Sequence, residues 1–476
     1  MRLSKKAAMC VIFLIVLMVC TFSVKAVGPY SIKEAETAKG RADYNLANNC
    51  QDGAILHAWN WYFRDVTENI EEIAKAGYTS VQVSPIQKEK IVPEGLPRLD
   101  KWWALYQPVN FRIGNILGSR EEFIQMCNRA HEYGVKIIVD VVTNHLANAA
   151  DDKMFEVSDQ VDGFIRDNPK FWHSVLRTAD DESRFNMTQM SIGMPDLNTG
   201  NKELQMIILE FLNDCQECGA DGFRFDAAKH IELPVDKEEF RSDYWPTIIE
   251  GVRSKNQDAY IYGELLNPNQ SLLQAYSCYM NVTVDAYADH VRNAVRDKNA
   301  GWAWSYAVDG VEPKKLVTWV ESHDDYAGNN GCGKSTSLTD KQIKLGWSLI
   351  AGRAESAPMF FVRPKDGLVG SIGFTDNNIW KDPMVVAANK FHNDMIGKSE
   401  YIRLPAYSVF MVERGDKDVI LTNVGDCNEF ILTKTGLVDG YYLDDKESNA
   451  FSVNGGVLMG NIAPEESIIL KKVDIE

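Results

Sequence analysis

Lys136-Ile137-Ile138-Val139-Asp140-Val141-Val142-Thr143-Asn144-His145 is the stretch on which the fold turns. Its first seven residues are almost continuously apolar and rich in β-branched side chains. A strand wet on one face alternates polar and apolar positions. A run without alternation is buried on both faces, as in a parallel sheet covered by helices. The run then breaks off into three polar side chains. A strand of a β/α barrel ends this way where it opens into a functional loop.

The same pattern recurs in both directions. Upstream, residues 54–59 and 79–84 read as strands. Between them, residues 67–76 read as a helix with Ile70, Ile73 and Ala74 on one face and Gly77 as its stop. Ser119 and Glu122 form a capping box ahead of Phe123, Ile124 and Met126, and Gly134 ends that helix. Downstream, residues 146–200 are rich in Asp, Asn, Ser and Phe with weak periodicity. That is too long for a simple loop and predicts a small inserted domain after the third strand. A helix at 202–218 and a strand at 222–226 resume the alternation. Further strands are expected at 260–265, 279–285, 315–321 and 358–362. Eight strands interleaved with helical patterns predict an α/β chain built as a closed (β/α)8 TIM barrel. From about 396, short strands at 408–413, 419–424 and 467–472 alternate with Gly, Asn and Asp turns. They predict a C-terminal antiparallel β-sandwich domain. The plan is therefore a leader (1–26), a barrel in two parts (27–145 and 201–395), an insert (146–200) and a β domain (396–476).

Arg2, Lys5 and Lys6 precede an apolar run at 7–24, and Val24-Lys25-Ala26 offers a small-residue cleavage site. This predicts a signal peptide and a secreted, extracellular protein. A retained anchor is the alternative, since about 18 apolar residues nearly span a bilayer; cell-surface association stays open. The chain carries a net charge of −17. Cleavage after Ala26 removes four cations and no acid. So acidic a chain is a poor match for nucleic acid or anionic membranes. A neutral polysaccharide is compatible with it, although charge does not select one, and no protein partner is implied. Of the nine cysteines, Cys10 and Cys20 fall in the leader. The other seven read as small buried hydrophobes, with a disulfide or two left open. Cys215 and Cys218 lack a second pair, so no zinc site is expected there.

The polar residues at strand ends carry the chemistry. In Gly222-Phe223-Arg224-Phe225-Asp226-Ala227-Ala228-Lys229-His230, alternation puts Arg224 and Asp226 on one face and the two phenylalanines on the other. An adjacent guanidinium favours an ionised carboxylate, which a glycosyl nucleophile must be; a structural Arg–Asp pair would look the same. Tyr262-Gly263-Glu264-Leu265 ends another strand, and a glutamate near other carboxylates suits a general acid. Trp319-Val320-Glu321-Ser322-His323-Asp324-Asp325 ends a third. Asn144 offers a hard oxygen ligand for Ca²⁺, and His145 a donor to a hydroxyl.

Together these four segments resemble, in order, the signature regions of the α-amylase family, glycoside hydrolase family thirteen. Met194-Pro195-Asp196-Leu197 is similar to the family's short motif in the inserted domain. Trp102-Trp103-Ala104-Leu105-Tyr106-Gln107-Pro108 resembles its W-W-x-x-Y-Q-P stretch. His57-Ala58-Trp59-Asn60-Trp61 is similar to the secreted bacterial members of the bacillus type. The resemblance spans about residues 50 to 470. It implies endo-acting, retaining hydrolysis of α-1,4 bonds in starch, amylose and maltooligosaccharides. Asp226 would be the nucleophile, Glu264 the general acid/base and Asp324 the transition-state stabiliser. Arg224, His145 and His323 would bind the sugar being cleaved, and Tyr106 would stack on it. Trp102 and Trp103 would flank it on the non-reducing side, Gln107 would also bind substrate, and Lys229 and His230 would meet the sugar on the leaving-group side. Asn144, Asp196 and the carbonyl of His230 would hold a structural calcium ion. Transglycosylase or α-glucosidase action on the same fold is the alternative, and a non-catalytic glucan-binding protein a more distant one. Two departures stand out. Ser322 replaces the Asn of chloride-binding members, so chloride is not expected. Asp325 adds a carboxylate beside Asp324 that would perturb the pH profile.

Overall fold

The computed structural model describes residues 39–92, 102–327, 333–365, 371–373, 377–416, 418–446 and 449–473. The predicted leader, 1–26, lies outside the described residues.

Eight parallel strands close into a barrel in sequence order: β1 (Ala54–Ala58), β2 (Tyr78–Val83), β3 (Lys136–Val141), β4 (Gly222–Phe225), β5 (Tyr260–Gly263), β6 (Asn281–Thr283), β7 (Leu316–Trp319) and β8 (Ala357–Phe361). β8 closes the ring on β1, with Ile55 opposite Met359. All eight predicted strands are present. β6 is shorter than the sequence suggests, because Asp285 already opens a helix, Asp285–Arg296. Strand alternation sorts the core in two. Ile55, Ile138, Tyr262, Trp319 and Met359 form a cluster of their own inside the barrel. Leu56, Val81, Ile137, Val139, Phe223 and Phe225 join the larger core between sheet and helices.

The first barrel helix, Phe63–Lys75, begins a turn earlier than its apolar periodicity indicates. Tyr62 is its N-cap and the Asp65 carboxylate accepts from the Tyr62 N–H at 3.2 Å, so an aromatic residue stands where a short polar cap is usual. Phe63, Val66, Ile70, Ile73 and Ala74 are buried at helical spacing. Each large apolar side chain among them contributes about 1.5–3 kcal/mol by leaving water. The capping box at Ser119 forms as read, with reciprocal bonds to Glu122 of 2.8 and 3.2 Å.

Two excursions rise above the carboxyl ends of the strands. After β2, a hairpin of Gln87–Glu89 and Pro108–Ile113 carries a 3-10 turn, Trp102–Tyr106. After β3, the insert holds a small parallel pair, Val175–Thr178 with Met190–Ser191, around the helix Arg184–Gln189. Its return leg is pinned to the exit of β3: the Leu197 N–H donates to the Asn144 carbonyl at 2.9 Å.

From Glu400 to Val473 the chain forms an eight-stranded antiparallel sheet. Val409, Met411, Leu421, Tyr442, Leu458 and Leu470 are part of its own core. The six described cysteines are all free, so the disulfide left open by the sequence does not form among them. Arg353 ties this unit to the barrel. Its buried guanidinium donates to Glu400 at 3.1 Å, to the Tyr287 hydroxyl at 3.0 Å and to the Ala303 carbonyl at 3.2 Å. Arg353→Met leaves the Glu400 carboxylate without its counter-charge, and the expected loss is about 3 kcal/mol in urea unfolding. Unchanged stability would show that the tie is dispensable.

Candidate active site

The floor of the site is built by strand register. β3 and β4 pair with Asp140 opposite Arg224, and β4 and β5 with Arg224 opposite Tyr262. Main-chain bonds from Asp226 to Val141 (3.0 Å) and from Glu264 to Phe225 (2.9 Å) carry the register one residue beyond each strand. Arg224, only 3% exposed, sits among three carboxylates. Nη1 donates to Asp140 at 2.7 Å and to Asp226 at 2.8 Å, and Nη2 pairs with Glu264. The other Asp140 oxygen accepts from the Tyr106 hydroxyl at 2.9 Å. Directly after Asp226 the chain turns sharply: Ala227 has φ +49°, a left-handed conformation that costs a non-glycine residue about 1–2 kcal/mol. The turn aims the Ala227 N–H at the second oxygen of Glu264, 3.2 Å away. Asp324 lies within hydrogen-bonding reach of Glu264. Three acids from three separate strand ends thus meet in one cluster.

Burial raises the Glu264 carboxyl above the usual range; Arg224 opposes this, and Asp226 and Asp324 reinforce it. Burial raises Asp324 too, again against Arg224. His323 is held down to about 3 by burial and by Arg224, so its ring is neutral. His145 is lowered by burial; its Nε2 meets the Tyr106 carbonyl at 2.9 Å, and its buried Nδ1 has no hydrogen-bond partner among the described residues.

Above this floor lies a cleft of about 940 Å³. Trp102, Trp103, Tyr106, Gln107, His145, Lys229, His230 and His323 line it together with Asp226, Glu264 and Asp324. Arg224 does not; it lies beneath the carboxylates and would reach a sugar only through them. Tyr106 is stacked on His323 with centroids 5.3 Å apart and planes 12° off parallel. Asp325 turns away from the cleft. It closes a capping box with Ser322 and pairs with Arg292 and the Trp319 indole, both at 2.9 Å. Several residues of this region are given no role by the sequence motifs, among them Asp140, Asp181 and His173. Asp140 was readable, since it shares the inward parity of Arg224 on the neighbouring strand.

The alpha-amylase catalytic-domain family model matches residues 62–336, more than half of the chain. The chain belongs to the alpha-amylase family. An alpha-amylase of Clostridium acetobutylicum is 40% identical over 89% of this chain and 54% of its own length. One of Butyrivibrio fibrisolvens is 33% identical over 93% and 50%. The chain thus spans about half the length of these curated relatives. Alpha-amylase I of Eisenia fetida, solved with maltohexaose, aligns with a TM-score of 0.71 at 20% identity, covering 89% of this chain and 97% of that one. An Anoxybacillus alpha-amylase gives 0.71 at 15%, covering 90% and 99%. These two likenesses bear on the fold alone, and they agree with the barrel described above.

Members of the alpha-amylase family commonly bind calcium, and two of the residues expected to hold it, Asn144 and Asp196, are in contact. The Asn144 amide meets Asp196 at 3.1 Å, and His230 Nδ1 meets the Met187 carbonyl at 2.8 Å. Burial pushes the Asp196 carboxyl up to about 7, the mark of a buried acid in want of positive charge. Oxygen donors of this kind fit a hard divalent cation. Part of the need is met internally. His173 bridges Asp196 at 2.6 Å and Glu232 at 3.1 Å. Burial alone would lower the His173 imidazole, but the two carboxylates hold it up to about 9. His173→Gln strips both acids of that charge. The expected cost is about 3 kcal/mol, read as a lower midpoint in urea; an unchanged midpoint would refute this role.

Proposed function

We propose that the chain is an endo-acting alpha-amylase that cleaves α-1,4 bonds of starch, amylose and maltooligosaccharides with retention. One observation carries the reading: Arg224 holds the carboxylates of Asp226 and Glu264 together under an aromatic-lined cleft, with Asp324 beside them. Retaining glycosidases use two carboxyl groups about 5–5.5 Å apart. A guanidinium bonded to both is suited to keep them that close.

Asp226, receiving a charge-assisted bond from Arg224, attacks the anomeric carbon. Glu264, kept protonated by burial and by its acidic neighbours, gives its proton to the glycosidic oxygen as the bond breaks. A glycosyl-enzyme ester and a free sugar end result. Water then enters. Its oxygen bonds to the anomeric carbon while Glu264, now ionised, takes its proton, and the bond to Asp226 breaks to return a free carboxylate. Asp324 and the neutral His323 face the ring and stabilise its oxocarbenium-like charge and hydroxyls. Trp102, Trp103 and Tyr106 offer flat apolar faces to successive glucose rings. Asn144, Asp196 and the His230 carbonyl would hold calcium, which would brace the insert against the barrel and supply no step of the chemistry. A signal peptide at 1–26 and secretion complete the reading, since a polymer such as starch is met outside the cell.

Incubation with amylose tests the whole: a rapid fall in viscosity with products of retained anomeric configuration is expected. Release of single glucose units from one end, or transfer products alone, would favour the α-glucosidase or transglycosylase alternative. Glu264→Gln should lower turnover on amylose by about 10²–10⁴-fold. It should do so far less with an aryl leaving group that departs without a proton. Because the acid form of Glu264 is the active one, kcat/KM falls as pH rises through its raised pKa. The alkaline limb is therefore expected above pH 4.5, the ordinary glutamate value; a limb at or below it would contradict the assignment. A strong chelator should lower Tm, because calcium would bind the folded state alone. An unmoved Tm would show that His173 and Asn144 suffice for Asp196.

A further inference from the structure

The insert brings acidic side chains into the cleft at Asp151 and at the tip between its two short strands. The tip between its two short strands runs through Ala179, Asp180 and Asp181, and all three line the cleft. The two acids are used differently. Asp180 serves the tip itself, accepting from the Asn186 amide at 3.0 and 3.2 Å and from the Glu182 N–H at 2.9 Å. Asp181 points outward and meets Lys229 Nζ at 3.2 and 3.5 Å.

Lys229 is held at its other end as well. Its carbonyl accepts from Arg184 at 3.0 Å and from the Tyr276 hydroxyl at 3.0 Å. Arg184 is itself fixed by Asp236 through bonds of 2.9 and 2.8 Å. With its main chain clamped, Lys229 keeps freedom only in its side chain, and Asp181 sets where the ammonium stands. The Lys229 side chain is 12% exposed and that of Asp181 59%. An ion pair this open adds little to stability, so its effect falls on the placement of the ammonium. Among the described lining residues, Lys229 is the single lysine or arginine.

We propose that Asp181 is a specificity-determining residue: it poises the Lys229 ammonium and its own carboxylate as a donor–acceptor pair for vicinal hydroxyls of a glucose unit on the leaving-group side. The ammonium offers donors and the carboxylate unused lone pairs. Neighbouring sugar hydroxyls can accept from one and donate to the other. The insert thereby sets how strongly the cleft holds the part of the chain that departs. This deepens the function proposed above and rests on Lys229 facing that part.

The test compares kcat/KM on maltoheptaose with kcat/KM on 4-nitrophenyl α-maltotrioside, whose leaving group carries no sugar. In Asp181→Asn the ratio of the two is expected to fall about fivefold to tenfold, mainly through KM for maltoheptaose, as for a lost binding contact. Cleavage should shift toward bonds that leave fewer glucose units on the departing side, and Asp181→Glu should restore part of the ratio. Lys229→Met is run in parallel. If it lowers the ratio while Asp181→Asn does not, the role of Asp181 is overturned and Lys229 keeps its place. If neither variant moves the ratio, the placement of Lys229 falls as well.

Discussion

The site depends on one shared cation. Arg224 is buried at the floor of the cleft and bonded to Asp140, Asp226 and Glu264, so it orders three acids that would otherwise repel one another. Removing a charge from water costs several kcal/mol unless partners surround it. Here the cost falls on a group that never has to move. The same contacts exclude alternatives: a strand slip of one residue between β3 and β4 would turn Arg224 and Asp226 outward together and leave Asp140 buried without its counter-charge. Register and electrostatics therefore enforce the same arrangement. Barrel closure is the means by which residues as far apart as Asp140 and Asp324 come to share one space.

Most of the barrel was legible because it follows from alternation. A strand buried on both faces announces itself by composition, and the polar residues at its end mark the mouth. The fold class, the strands and the three acids needed nothing more than this, a few motifs and their resemblance to a family. Asp140 was legible too, had parity been carried across to the adjacent strand. The capping pattern Ser322-x-x-Asp325 likewise predicts that Asp325 bends back to its own helix terminus instead of facing the cleft.

The rest was illegible for a physical reason. His173 pairs with Asp196 inside the insert and with Glu232 outside it, and Asp181 pairs with Lys229; the pairings that leave the insert depend on how it folds over the barrel. The insert has short elements and weak periodicity, so its packing is decided by contacts with the barrel. Its polar residues cannot be assigned from local pattern. The early start of the first helix was missed in a similar way, since a tyrosine cap fits no common capping signature.

The acidity of the cleft has a consequence for which glucans suit it. Asp151, Asp180 and Asp181 join the three acids at its floor, against one lysine among the described lining residues. Low-dielectric walls focus a potential of one sign. Under the proposed function, uncharged glucan would meet no penalty from that field. Under that function, a glucan bearing phosphate esters or oxidised to uronate would be repelled by the same field.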